Sequence, residues 1–490
     1  MLKNIIMGAF MNKKSGKRIL LVEPVGNLPF YILPLALGYL KSNISNLHST
    51  KVLDCSIDNI FSDSDRFKDE IRDFAPDIVG VSASMQTYRE GILAVRTVKS
   101  INSDIITVMG GSHPSIFADQ IMRDDSVDYV FQGEAELSFS AFIDQLERGN
   151  DLSSIEGLVY RKDGGIIKNE INLETDLDKI VIPDYGAIKI NEYVKNGYSY
   201  GGLYGKSAPI WITRGCPYSC SFCSASQING KQIRRHSVQY VVKWISHLYQ
   251  DFGIRQFAIV DDNFTFFEEY AKDFCRTIVG LVREGHFKEK IYFATPNGIR
   301  IDRVDDELIG LMKDAGWRSI SVAPESGSRK TLKRMGKNVD PDIVPGVIRR
   351  IKAAKLDVRA FFLVGYPGET KEDIRETVRL IRKCKIDGLI LGRFLPIPGT
   401  PIYNELVRDG EIPPNFMPAC IFEFVMPLGN KWQRKTYAPR GLNKLNSFWL
   451  FFRESIYIAL RNPYSIVFYC RYYGVTNLIK KLFHAAKRIK

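Results

Sequence analysis

The sequence predicts an α/β chain made of two successive strand–helix series and a helical tail. Three observations carry this expectation. Short apolar, β-rich runs alternate with amphipathic stretches five times between Lys17 and about Gly149. A second series of six begins at Pro209. In both, the apolar runs stop at Gly, Ser, Asp or Pro, as strands running into loops do.

Residues 1–16 read as a disordered leader, because their apolar patch lacks the core and cleavage site of an export signal. In the first series RILLVE, KVLDC, DIVGVS, IITVMG and VDYVFQG are the strands. PLALGYLKS, RFKDEIRDF, YREGILAVRTVKS, SIFADQIMRD and LSFSAFIDQLERG are the helices between and after them. Five such units on one sheet give a doubly wound, flavodoxin-like domain over 17–149, with ligands expected beyond the carboxyl ends of its strands. Residues 150–206 carry turn signals (KDGG, IPDYG, NGYSYGG) and read as a linker with a small hairpin.

The second series spans 207–412. PIWIT, RQFAIV, KIYFAT, WRSISVA, DVRAFFLVG and DGLILGRFL are its strands, and six units predict a partial (βα)6 TIM barrel with its chemistry at the strand ends. From 413 to 490 the alternation is lost. The aromatic run NSFWLFFRESIYIALRNPYSIVFYCRYYG is expected to be helical, either packed over the barrel or lying at a membrane surface, with a basic tail behind it.

A chain of 490 residues is too long for one core. Its net charge of +13 suits an anionic partner or plain solubility equally well. No long uncharged apolar stretch occurs, so a spanning helix is not expected and a cytoplasmic protein is. Eight cysteines are too sparse for a disulfide framework, and three of them crowd into eight positions.

Those three are Cys216, Cys220 and Cys223, spaced C-x3-C-x2-C just after the first barrel strand. Gly215 and Pro217 bar a regular helix there, which lets three thiolates converge. Thiolates hold iron–sulfur clusters, and three ligands for a four-iron cube leave one iron open. A closed zinc site would need a fourth ligand, and the nearest histidine, His236, has no matching partner.

With Phe222 inside it, the motif resembles the signature of the radical S-adenosylmethionine (SAM) superfamily, and the resemblance runs over roughly 205–400. It implies a [4Fe–4S] cluster on the three cysteines and SAM chelated at the open iron. One-electron reduction then releases a 5′-deoxyadenosyl radical. Asp261 and Asp262 stand where relatives hold the SAM amino group, although this chain departs from the usual Gly-Gly-Glu run. Glu325, in Pro-Glu-Ser-Gly, matches the position that bonds the ribose hydroxyls. Gly365, opening GYPGET, matches the glycine that lets backbone approach the nucleoside, and FLPIPGTP lines the adenine side.

No G-x-G-x-x-G follows the first strand of the N-terminal domain. Its strand ends carry Ser82, Ser84 and Thr87, then Gly110, Gly111 and His113, then Gly133 and Glu134. This set resembles the cobalamin-binding domain of the class B, B12-dependent radical SAM enzymes. There, hydroxyls contact the nucleotide tail and glycines make room for its ribose and phosphate. The cobalt-ligating D-x-H-x-x-G is absent, since after the second strand the chain reads Asp54-Cys55-Ser56-Ile57-Asp58-Asn59. His113 is expected in a structural or nucleotide-contacting role.

The resemblance implies a methyltransferase that C-methylates an unactivated carbon through methylcobalamin and the deoxyadenosyl radical. Radical cyclisation or ring rearrangement with the same cofactors is the alternative, and a non-catalytic cobalamin sensor is one of another class. A methylthiotransferase would need further N-terminal cysteines, and only Cys55 lies there. The expected partners are a small-molecule or lipid-like substrate and an electron donor such as flavodoxin or ferredoxin, with no nucleic acid. A peripheral membrane contact through the C-terminal region is a further expectation.

Overall fold

The computed structural model describes residues 16–26, 32–202, 204–414 and 416. The leader and the C-terminal helical region expected beyond 416 lie outside the described residues. The chain forms two compact units: residues up to Leu173 with Lys179–Lys189, and Glu174–Asp178 with Ile190 onward.

The first unit is a seven-stranded sheet. Strands β1 (Arg18–Glu23), β2 (Ser49–Asp54), β3 (Ile78–Ser82), β4 (Ile106–Gly110) and β5 (Tyr129–Phe131) run parallel in the order β2-β1-β3-β4-β5. The strand runs are buried almost end to end, as a sheet covered on both faces requires. Leu20, Val22, Val79, Val81, Met109 and Val130 form its core with Val95 and Val98 of the helix Tyr88–Ile101. The segment after Gly149 adds a hairpin to this sheet: β6 (Leu158–Lys162) pairs antiparallel with β5, and β7 (Gly165–Lys168) closes the edge.

In the second unit β8 (Ser207–Ile210) is followed by a two-residue pair, β9 (Thr213–Arg214) with β10 (Arg234–Arg235). Strands β11 (Gln256–Ile259) and β12 (Tyr292–Ala294) complete a parallel sheet with β8. A second parallel sheet holds β13 (Ser319–Glu325), β14 (Asp357–Val364) and β15 (Gly388–Arg393). Parallel bridges Phe293–Trp317 and Ile299–Val322 join the two, giving six strands in chain order, the partial barrel the alternation predicts. Phe257 of β11 and Phe293 of β12 pack ring against ring with Phe264, Phe274 and Trp317, all buried. Each such ring contributes about 2–3 kcal/mol by leaving water. Helix starts follow from caps: Ser237 accepts from Tyr240 N, Asp305 from Leu308 N, and Thr370 with Asp373 forms a capping box. Among the described residues no helix is long and apolar enough to cross a membrane.

Candidate active site

The first barrel strand stops earlier than the run PIWIT suggests, and the cause is Asp261. Its carboxylate accepts from Ile212 N (2.8 Å), Thr213 N (2.9 Å) and Thr213 Oγ1 (2.8 Å). Amides that would otherwise continue the ladder with the next strand are drawn to a side chain. The chain then crosses the small antiparallel pair before reaching the cysteines. Gly215 has φ +93°, and a Cβ there would meet Gln232 O at 2.3 Å, so the approach to Cys216 admits only glycine.

Cys216, Cys220 and Cys223 are half-buried free thiols. Cys216 N donates to Gly230 O (3.0 Å) and Cys223 N to Cys220 O (3.1 Å). Burial pushes all three thiols up, Cys223 to about 12, and charge on Cys220 raises both Cys216 and Cys223 further. Among the described residues no three His, Cys, Asp or Glu side chains are placed to hold a single metal ion. Three separated soft donors suit a cube that takes each thiolate at its own corner. Two cations sit near them, Lys337 and Arg300, and both ease the Cys220 thiolate. Arg300 is locked by Asp302 through two bonds (2.9 and 2.8 Å) and lies 3.8 Å from the Tyr218 ring centre.

The residues expected to face SAM gather here unequally. Asp262 is half-buried, accepts from Asn229 Nδ2 (2.7 Å) and raises the Cys216 and Cys223 thiols. Asp261 beside it is turned inward as the strut just described, and burial pushes it up to about 8. Glu325 pairs with Lys337 Nζ at 2.8 Å and holds φ +66° beyond a bulge in β13. A left-handed backbone at a non-glycine costs energy and marks a position the surrounding fold imposes. Gly365 (φ +78°) heads a turn clamped by Glu369, whose Oε2 accepts from Gly365 N (2.5 Å) and Tyr366 N (3.2 Å). Burial pushes Glu369 up to about 7. Phe222 packs edge-on to Tyr366, ring centres 6.5 Å apart. Lys337, Arg300, Glu369 and Tyr366 were not among the sequence candidates; only Glu369 and Tyr366 lay within a stretch already singled out, GYPGET.

In the first unit the candidate residues also sit at strand ends, but several are spent locally. Ser82 bonds Glu23, which burial and its register partner Asp54 push up to about 8. Ser84 N donates to Thr87 Oγ1 (2.9 Å), and Ser84 Oγ lies 3.0 Å from Gln86 Oε1, so these hydroxyls mainly build the turn that starts the next helix. The stretch from Asp54 is a helical turn capped by Asp54 itself, with Cys55 buried. Gly133 N donates to Ser115 Oγ (2.9 Å), and Glu134 is half-buried. Two features remain open to a ligand. A Cβ on Gly110 would meet nothing nearer than 3.9 Å, and the buried His113 has no partner at Nε2.

His113 lies between the rings of Tyr88 (4.0 Å) and Phe117 (4.8 Å), and burial pushes it down to about 4. Unfolding frees the imidazole to take a proton near its ordinary value, so stability present above that value falls as pH drops towards 4. The expected loss is on the order of 2 kcal/mol by about pH 5. Denaturant titrations at the two pH values should show it shrink in His113→Phe; an unchanged profile would exclude His113 as its source.

The profile of the Radical SAM superfamily matches residues 210–381, and that of the B12 binding domain matches residues 24–143. An uncharacterised methyltransferase of Pyrococcus horikoshii is 30% identical over 380 residues, covering 77% of this chain and 79% of that one. The chain belongs to the radical SAM superfamily. Within that superfamily it carries a B12 binding domain ahead of the radical SAM domain. Cytidylyl-2-hydroxyethylphosphonate methyltransferase of Streptomyces wedmorensis is 26% identical, with 81% of this chain and 83% of that one covered. The radical SAM methyltransferase TsrM of Kitasatospora setae, solved with cobalamin and a [4Fe–4S] cluster bound, shares the fold. Its TM-score is 0.66 at 18% identity, over 80% of this chain and 75% of that one.

Proposed function

We propose that this radical SAM protein is a cobalamin-dependent methyltransferase acting on an unactivated carbon of a small molecule. The observation that carries the reading is the gathering of Asp262, Glu325, Lys337 and Arg300 around three free thiols, in a chain that also has a B12 binding domain. In this reading residues 17–149 hold cobalamin and 207–412 hold the cluster and SAM. Bound there, the cluster supplies the electron that cleaves SAM and cobalamin the methyl group that is passed on.

The chain's own residues do the rest. Cys216, Cys220 and Cys223 ligate, and they leave one iron open because no fourth thiol stands in the motif. Asp262 accepts from the SAM ammonium, a charge-assisted bond suited to a carboxylate. Glu325 takes the ribose hydroxyls, its aim set by Lys337 and by the bulge. Gly365 brings backbone to the nucleoside. At the first unit's strand ends, Gly110 leaves room for the cobalamin tail and His113 Nε2 meets a polar group of it. With no histidine in 54–59, that stretch would offer no imidazole to a bound cobalamin. Electrons come from a flavodoxin or ferredoxin.

The test is anaerobically reconstituted protein incubated with SAM, cobalamin, reductant and cell extract, followed by mass spectrometry. A product heavier by one CH2 is expected. A product lighter by two hydrogens would replace methylation by cyclisation, and deoxyadenosine without any product change would remove the transfer step.

A further inference from the structure

Tyr366 links two stretches that the sequence holds 145 residues apart: its hydroxyl lies 2.6 Å from Ser221 Oγ. Ser221 stands between Cys220 and Cys223. It has a single hydroxyl hydrogen, and that hydrogen has an acceptor in Arg334 O at 3.2 Å. A carbonyl cannot donate, so Tyr366 gives the proton in the shorter bond. Tyr366 is fully buried, and burial pushes its phenol up, which keeps the donor protonated. Its ring is held edge-on by Phe222 (6.5 Å) and Phe394 (5.0 Å).

The backbone of the same residue belongs to the other stretch. Tyr366 N and Gly365 N share one oxygen of Glu369, so the Gly365 turn and the Tyr366 side chain move as one piece. The cysteine loop is otherwise tied down through backbone, by Ser221 N to Met335 O (2.9 Å) and by Ile402 N to Ser221 O (3.0 Å). The Met335 bond reaches the Gly365 turn only indirectly, through the neighbouring Arg334, whose Nε donates to Pro367 O (2.8 Å); the phenol reaches it directly.

We propose that Tyr366 is a positioning residue that couples the cysteine loop to the nucleoside turn, so that cluster loading and SAM binding reinforce each other. The inference rests on the reading that the cysteines hold the cluster and that Gly365 faces the nucleoside. Tyr366→Phe keeps the ring and its packing and removes only the donor; Ser221→Ala removes the acceptor. Full-length wild type, both single variants and the double variant would be reconstituted anaerobically to equal iron content. Equilibrium SAM binding and the EPR spectrum of the reduced cluster with and without SAM are then compared.

Each single variant should keep its iron, bind SAM about five-fold more weakly, and show a smaller SAM-induced spectral change. The double variant should lose no more than Ser221→Ala alone, because the phenol bond and the Ser221 bond to Arg334 O are both already gone in that single. A bond that merely stabilised the fold would lower the melting temperature and leave SAM affinity and the spectral change untouched, and that result overturns the proposal. Losses that add in the double variant overturn it too. A wild type that takes up no iron, or whose spectrum ignores SAM, brings down the cluster reading and the proposal with it, before any variant is compared.

Discussion

Replacing Cys216, Cys220 and Cys223 together by alanine is expected to leave a colourless protein that retains no iron after anaerobic reconstitution. Wild type should hold about four irons per chain. The thiolates are the only soft donors in the loop, and soft thiolates are what iron–sulfur clusters take. Removing a single cysteine should already cut deoxyadenosine formation on the order of a thousand-fold, since the three act as a unit whose losses do not add. The fold should survive, because the loop is pinned chiefly through Gly230 O and Met335 O, with sulfur accepting a long bond from Ala225 N to Cys223 Sγ (3.5 Å). Cys275→Ala and Cys384→Ala serve as controls, being thiols buried away from the triad. Iron retained by the triple variant, or lost equally from the controls, would sink the assignment.

Gly111→Ala is expected to destabilise the first unit by about 3 kcal/mol and to weaken cobalamin binding with it. Gly111 combines φ +101° with ψ −174°, a conformation open essentially to glycine alone. A Cβ there would lie 2.7 Å from Ala83 O and 3.0 Å from Ala83 N, where β3 ends. Neither backbone atom can yield, because Ala83 N donates to Gly110 O and Ala83 O accepts from His113 N. Gly110→Ala should behave differently. Its Cβ meets only ordinary contact at 3.9 Å, so the melting temperature should hold while cobalamin, followed by its visible absorbance, binds more weakly. If both variants lose stability alike, or if Gly110→Ala binds cobalamin as wild type does, neither glycine is making room for the ligand.

That pair shows where sequence reading succeeds and where it stops. Adjacent glycines after a strand mark a special backbone, but the sequence could not say that Gly111 is required by Ala83 across the sheet and Gly110 is not. The strands were legible because buried parallel strands are continuous apolar runs, and RILLVE and DVRAFFLVG have no other good use. The cysteines were legible because a local spacing encodes them. Asp261 and Asp262 looked equivalent on the page. What separates them is that Ile212 and Thr213, some fifty positions earlier, spend Asp261's oxygens on their amides. Lys337 carries no local signal at all, and it becomes a site residue only when the helix Arg329–Arg334 brings it back to Glu325. Ser84 and Thr87 were found for a resemblance to ligand contacts, yet their hydroxyls are largely occupied with each other.

The bulge in β13 sets the regularity of a strand against the aim of the side chain at its end. Val322 faces Ala360 and Glu325 faces Phe362, so β13 spends one residue more than β14 over the same span. Losing that residue would straighten the strand end, restore even pairing and relieve the left-handed backbone at Glu325. In the reading that Glu325 takes the ribose hydroxyls, the barrel gives up an evenly paired strand end for the aim of one carboxylate.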